Sequence, residues 1–135
     1  MTQNERQTLA ALSTLILLQL IMLSSLYAGI SPHPPAATPF FGIAPFVGGS
    51  VAIAVAAIIV KPLASKCGHS LSILAALTTL VSFGPQKYLD AQFALIWPAV
   101  ILGQCAALVI FVHVVNAARQ KGETDQVAKA CGGLV

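Results

Sequence analysis

Two histidines stand at the edges of apolar runs, where an imidazole can serve as an axial ligand of a tetrapyrrole. His69 begins the third apolar run, and His113 lies about one helical turn before the end of the fourth. Two imidazoles from different helices can hold a haem, and a single imidazole can hold a chlorophyll magnesium. The alternative is a pair of interfacial histidines that bond headgroups or backbone. His113 and His69 are therefore the candidate ligands for haem or chlorophyll, and no other cofactor is predicted.

The thiols and carboxylates form neither a metal site nor a catalytic set. Cys67-x-His69 together with Cys131 offers at most three ligands, one of them distant in sequence, whereas structural zinc takes four ligands at regular local spacing. All carboxylates stand in polar segments, and no nucleophile, base and orienting group are arranged near one another. We therefore expect no metal site and no self-sufficient enzyme.

The composition of the chain indicates a membrane protein. Of its 135 residues, 57% are hydrophobic and 8% are charged, and the mean hydropathy is +0.86. In soluble domains about a quarter of the residues are charged, so this chain has too few charged side chains to cover a water-exposed surface. The net charge of +3 comes from basic residues beside the apolar runs, where membrane orientation and anionic headgroups explain them. Nucleic acid is not an expected partner.

Four apolar runs are candidates to cross the hydrocarbon core, which takes about 20 helical residues, and the third of them is the shortest. They occupy about residues 8–30, 40–60, 69–84 and 92–117, and a polar tail follows at 118–135. The connector at 31–39 contains four prolines and His33, which predicts a stiff, extended and solvated segment. We predict an all-α, polytopic membrane protein in which a single domain forms four transmembrane helices as two hairpins.

The distribution of basic residues predicts the orientation of these helices. Cytoplasmic loops carry an excess of Lys and Arg, and four spans place both termini on one side. That side would hold six basic residues, whereas the other side would hold only Lys87. The six are Arg6, Lys61, Lys66, Arg119, Lys121 and Lys129. We therefore expect cytoplasmic N and C termini, in a bacterial inner membrane or an equivalent organelle membrane.

Small residues recur at four-residue spacing in the second and fourth runs. The two sets are Gly48, Ala52 and Ala56, and Ala99, Gly103 and Ala107. Such spacing lets helix backbones approach closely in a bilayer, so both sets are interpreted as packing ridges that meet each other or another subunit. Pro45 and Pro98 precede the two ridges. Each removes a backbone hydrogen bond, which predicts a bend in the helix.

The interiors of the four runs contain no Asp, Glu, Lys or Arg. Intramembrane carboxylates usually mark proton relays and cation antiport, and the first run offers only Gln19 in their place. A carboxylate-driven pump is therefore disfavoured. In the fourth run, Gln104 is expected to bond another helix, and Cys105 is expected to be a small packing residue.

These observations favour a non-catalytic integral subunit that packs within a larger membrane complex, such as an energy-transducing one. Two alternatives stay open. One is a small homo-oligomeric transporter or channel lined by Ser72, Thr79 and Gln104, and the other is a haem- or chlorophyll-binding subunit that uses His113. In each case the lipid bilayer is a partner, and the leading hypothesis adds other integral membrane subunits.

Overall fold

The computed structural model describes residues 1–30, 40–91 and 93–132, except for the side chains of residues 40, 125 and 127–132. This part of the chain is all-α. Its elements are α1 (Gln3–Ala28), α2 (Phe40–Ile59), α3 (Lys66–Phe83), a 3₁₀ helix (Pro85–Leu89) and α4 (Phe93–Gly132). All four α-helices are long and apolar enough to cross a membrane, which confirms the prediction at this level. The predicted connector at 31–39, including His33, lies outside the described residues.

The start of α1 is set by side-chain capping. The Oγ1 atom of Thr2 accepts a hydrogen bond from the amide of Glu5 at 3.3 Å, and the Glu5 carboxylate accepts one from the amide of Thr2 at 2.7 Å. This capping box satisfies amide groups that a helix start leaves without intrahelical partners. The helix therefore begins at Gln3, before the predicted span at residue 8. At its other end Gly29 has a φ of 64°, which glycine adopts without steric cost.

The start of α3 is also set by a cap. The Oγ atom of Ser65 accepts a hydrogen bond from the amide of Gly68 at 3.0 Å, so the helix begins at Lys66 and not at the predicted His69. It ends at Phe83, where Gly84 and Pro85 introduce the 3₁₀ helix. Lys87 in that 3₁₀ helix forms a salt bridge of 3.2 Å with Asp90.

The last helix, α4, extends well beyond the predicted span. Its 40 residues correspond to about 60 Å at a rise of 1.5 Å per residue, which is about twice the thickness of a hydrocarbon core. The sequence predicts that this span ends at residue 117. The segment that follows contains no proline and many residues that favour an α-helix, so the helix continues to Gly132. We call residues 118–132 the projecting helix. Its described side chains, at 118–124 and 126, are all exposed.

The bundle is built around α1 and α3, each of which contacts the other three helices. Within the described residues α2 and α4 have no contact with each other. The centre is filled by aliphatic side chains such as Leu12, Leu15 and Ile110, which are fully buried. Because lipid is as apolar as these side chains, close packing and interhelical hydrogen bonds must hold such a bundle together in a membrane.

Candidate functional site

The small residues of α4 pack inside the chain. Gly103 is buried between α1 and α3: a Cβ atom added to it would lie 3.1 Å from the Cβ of Phe83 and 3.5 Å from a methyl of Leu18. Ala107 is also buried, and Ala99 is half-buried. The absent side chain at position 103 thus lets α4 approach α3 closely. This set of residues is an internal packing surface.

The small residues of α2 face the opposite way. Gly48 and Ala52 are exposed and Ala56 is half-buried, and a Cβ atom added to Gly48 would meet nothing within 4 Å. The interpretation in which the ridges of α2 and α4 pack against each other is therefore wrong, because these helices do not touch within the described chain. The inward face of α2 consists instead of Val47, Ser50, Ala54 and Ala57.

Six of the exposed residues of α2 form a continuous stripe along the helix, which we call the outer stripe. Successive members are three or four residues apart, so they lie on one helical face. They are Phe41, Pro45, Gly48, Ala52, Val55 and Ile59. The residues at its two ends, Phe41 and Ile59, are large and are 82% and 74% exposed, whereas Gly48 and Ala52 at the centre are small. Small residues at the centre of the stripe leave room for the close approach of another helix.

A buried polar cluster joins three helices at the middle of the bundle. The Gln19 side-chain amide on α1 donates to Ser50 Oγ on α2 at 2.9 Å and to Thr79 Oγ1 on α3. Gln19, Ser50 and Thr79 are each at most 2% exposed. Ser50 Oγ also lies 2.7 Å from the hydroxyl of Thr78. Since apolar surfaces do not distinguish one helix neighbour from another, this cluster fixes which helices pair and at which level.

The donor and the acceptor of each hydrogen bond in the cluster can be assigned. The hydroxyls of Thr78 and Thr79 donate to the backbone carbonyls of Leu74 and Ala75 at 3.0 and 2.8 Å, so Ser50 is left to donate to Thr78. Every donor then has an acceptor. The carbonyl oxygen of Gln19 is buried and has no hydrogen-bond partner within the described chain. An unpaired buried carbonyl costs about 1–3 kcal/mol, so the cluster specifies the arrangement of helices and adds little net stability.

A second polar contact lies between α4 and the end of α3. The Gln104 amide donates to the Phe83 carbonyl at 3.3 Å, and its oxygen accepts from the hydroxyl of Tyr88 at 3.0 Å. The prediction that Gln104 bonds another helix is confirmed. Ser72, also a predicted pore-lining residue, is fully buried, and its hydroxyl has no partner among the described residues.

The two candidate tetrapyrrole ligands differ in their surroundings. The Nε2 atom of His69 lies 3.2 Å from the carbonyl oxygen of Leu63, within the connection that precedes α3. His113 is half-buried on α4, and its Nδ1 atom is buried without a hydrogen-bond partner in the described chain. His69 thus bonds the local backbone, whereas the ring of His113 is partly exposed and its Nδ1 atom is enclosed by the chain.

The two cysteines whose side chains are described are not packed inside the chain. Cys67 and Cys105 are free and exposed, so the packing interpretation of Cys105 is wrong for the single chain. Cys131 lies in the part of α4 whose side chains are not described. Within the described residues, no group of three histidine, cysteine or acidic side chains is placed to hold a metal ion. Pro45 and Pro98, at which bends are predicted, both lie inside helices and are exposed.

Comparisons of the chain with protein-family models, with curated proteins and with solved structures find no match. The class that the fold defines is therefore a four-helix bundle of membrane-spanning dimensions. Its function has to be argued from its own surfaces.

Proposed function

We propose that the chain is a non-catalytic integral membrane subunit whose outer stripe on α2 packs against a transmembrane helix of another subunit. The observation that carries this proposal is the outward orientation of Gly48 and Ala52. In lipid, a small-x-x-x-small pair is useful where a second backbone approaches closely. The chain itself supplies no helix at this face, since α2 contacts only α1 and α3 within the described residues.

The proposal includes a topology of two hairpins with both ends of the chain in the cytoplasm. Six of the seven Lys and Arg residues fall on that side. On the other side, the charge of Lys87 is balanced by Asp90 at 3.2 Å. This asymmetry supports the orientation because basic residues are retained on the cytoplasmic face during insertion.

The arrangement of the polar cluster favours a packing role over a pathway through a single chain. Along α1, the buried residues nearest to Gln19 are leucines, including Leu15 and Leu18. Along α2, Ser50 lies between the buried residues Val47 and Ala54. Apolar side chains therefore precede and follow the cluster along these helices, as expected for a polar contact that specifies helix pairing.

Site-specific photocrosslinking on the full chain in its native membrane tests the proposal. A photoreactive amino acid at Ala52 should yield a discrete crosslink to another membrane protein, identified by mass spectrometry. The matched control is the same amino acid at Cys105, which is also small, exposed and within a span. Gly48→Leu should abolish the Ala52 crosslink, and Cys105→Leu should leave it unchanged.

The products of this experiment separate the proposal from its alternatives. A crosslink to a second copy of this chain would favour the homo-oligomeric transporter or channel. Adducts with lipid alone at Ala52, equal to those at Cys105, would contradict the proposal.

The tetrapyrrole-binding subunit is the second candidate, and the observation that supports it is the partly exposed ring of His113 on a helix of membrane-spanning length. The chain purified from its native membrane in mild detergent should then show a Soret or far-red absorption band that His113→Ala removes. A featureless visible spectrum would reject this candidate and leave the packing proposal unaffected.

A further inference from the structure

A cleft opens where the start of α1 meets the connection between α2 and α3. Its volume is about 330 Å³, and its wall combines aliphatic side chains with charged groups. The lining residues are Met1, Glu5, Leu9, Ile58, Lys61, Pro62 and Leu63. A cleft with an aliphatic wall and a charged rim fits an amphipathic molecule better than it fits a small ion or a wholly apolar one.

The side chains that line this cleft include one ammonium group, on Lys61, and one carboxylate, on Glu5. The Glu5 carboxylate is already used in the α1 cap, where it accepts from the amide of Thr2 at 2.7 Å. The ammonium group of Lys61 has no hydrogen-bond or ion-pair partner within the described chain, and the residue is exposed. Lys66 on the adjacent α3 start is exposed too, and Lys121 of α4 reaches the carbonyl of Ala64 at 3.5 Å. Of these three lysines only Lys61 belongs to the lining of the cleft, and its ammonium group is the one that can bind an anionic headgroup there.

The backbone at Lys61 is held in an unusual conformation. Its φ of 63° lies in the left-handed region, which a residue with a Cβ atom adopts at a cost and where a helix normally ends in glycine. The Lys61 carbonyl accepts from the amide of Ala64 at 3.1 Å and packs against Gly68, where any Cβ atom would collide with it. The connection therefore fixes the direction of the Cα–Cβ bond of Lys61, at a position where glycine would fit with less strain.

We propose that this cleft binds one anionic phospholipid of the cytoplasmic leaflet. Its phosphate lies at the Lys61 ammonium, and one acyl chain follows the aliphatic wall of Leu9 and Ile58. The position of the cleft at the end of the spans places the headgroup at the membrane surface and the acyl chain toward the hydrocarbon. The proposal is independent of the outer stripe and of any partner subunit.

Native mass spectrometry of the full chain released from nanodiscs of equal phosphatidylglycerol and phosphatidylcholine tests this site. Lys61→Asn removes the charge and keeps a side chain that tolerates the left-handed conformation. We expect it to lower the retention of phosphatidylglycerol relative to phosphatidylcholine about fivefold, the effect of one basic residue near an anionic surface. Lys66→Asn, which makes the same charge change outside the lining, should change the ratio less than about twofold.

A second pair of variants tests the aliphatic wall without changing charge. Leu9→Trp should fill the cleft and reduce the bound lipid, whereas Leu17→Trp, at an exposed position of α1 away from the cleft, should not. Equal losses in the two asparagine variants would show general surface charge and overturn the proposal, as would undiminished retention in Leu9→Trp. Displacement of the lipid by millimolar inorganic phosphate would identify a free-anion site instead and would also overturn it.

Discussion

Replacement of Gln19 separates the two contributions of the buried cluster, its volume and its hydrogen bonds. Gln19→Ala removes two bonds to other helices, each worth about 0.6 kcal/mol in a membrane bundle. It also leaves a cavity that costs about 2 kcal/mol or more. Adding these terms, we expect a loss of about 3 kcal/mol in the free energy of unfolding.

Gln19→Leu should behave differently because leucine nearly conserves the volume. The same two hydrogen bonds are lost, at about 1 kcal/mol in total, but the buried carbonyl without a partner is removed as well. Its desolvation costs about 1–3 kcal/mol in the native chain. The hydroxyls of Ser50 and Thr79 keep Thr78 and the Ala75 carbonyl as acceptors. We therefore expect Gln19→Leu to lie within about 1 kcal/mol of the native chain, or above it.

The measurement is reversible unfolding in mixed micelles by titration with dodecyl sulfate, followed by the fluorescence of Trp97, the only tryptophan. The ordering of the two variants is decisive. If Gln19→Leu lost as much stability as Gln19→Ala, the hydrogen bonds would dominate, and the conclusion that the cluster adds specificity more than stability would be refuted.

Two further predictions use the same preparation, and a third uses sealed membranes of known orientation. Gly103→Leu should lower the free energy of unfolding by about 1–3 kcal/mol through overpacking, while Gly48→Leu should leave it unchanged within about 1 kcal/mol; equal effects would contradict the opposite orientations of these glycines. Ser65→Ala should cost about 1 kcal/mol through loss of the α3 cap, and Ser65→Asp should restore it; an unchanged unfolding curve for the alanine variant would count against the cap. In a chain with its other cysteines replaced by serine, Cys67 should react with a membrane-impermeant maleimide only from the cytoplasmic side, and reaction from the opposite side would invert the proposed topology.

The membrane-spanning elements could be predicted from the sequence because length and hydropathy alone define them. The first residues of these helices are harder to predict, although the sequence contains the capping residues that mark them. Thr2-x-x-Glu5 is a capping-box pattern, and Ser65 is a helix cap. Both signals lie in polar segments, outside the apolar runs from which the spans are predicted.

The orientation of the small residues could not be predicted, for a physical reason. Ser50 is the one polar side chain of α2, so the helix has no polar face that indicates which side turns inward. The four-residue spacing in α2 and α4 is identical, yet Gly48 faces outward and Gly103 is buried. The polar cluster could not be predicted for a related reason. The sequence shows Gln19 as a polar residue in a span, but its partners Ser50 and Thr79 can be identified only when α2 and α3 are known to pack against α1.

The length of α4 has a consequence for rotation. The helix continues without interruption from the buried Ala107 into the projecting helix, so the azimuth of each exposed residue there is fixed by the packing of α4 within the bundle. Each residue turns the helix by about 100°. One residue inserted after Ala117 would therefore rotate every later side chain by that angle and leave the bundle unchanged. A molecule that binds one face of the projecting helix would then lose its alignment with the bundle.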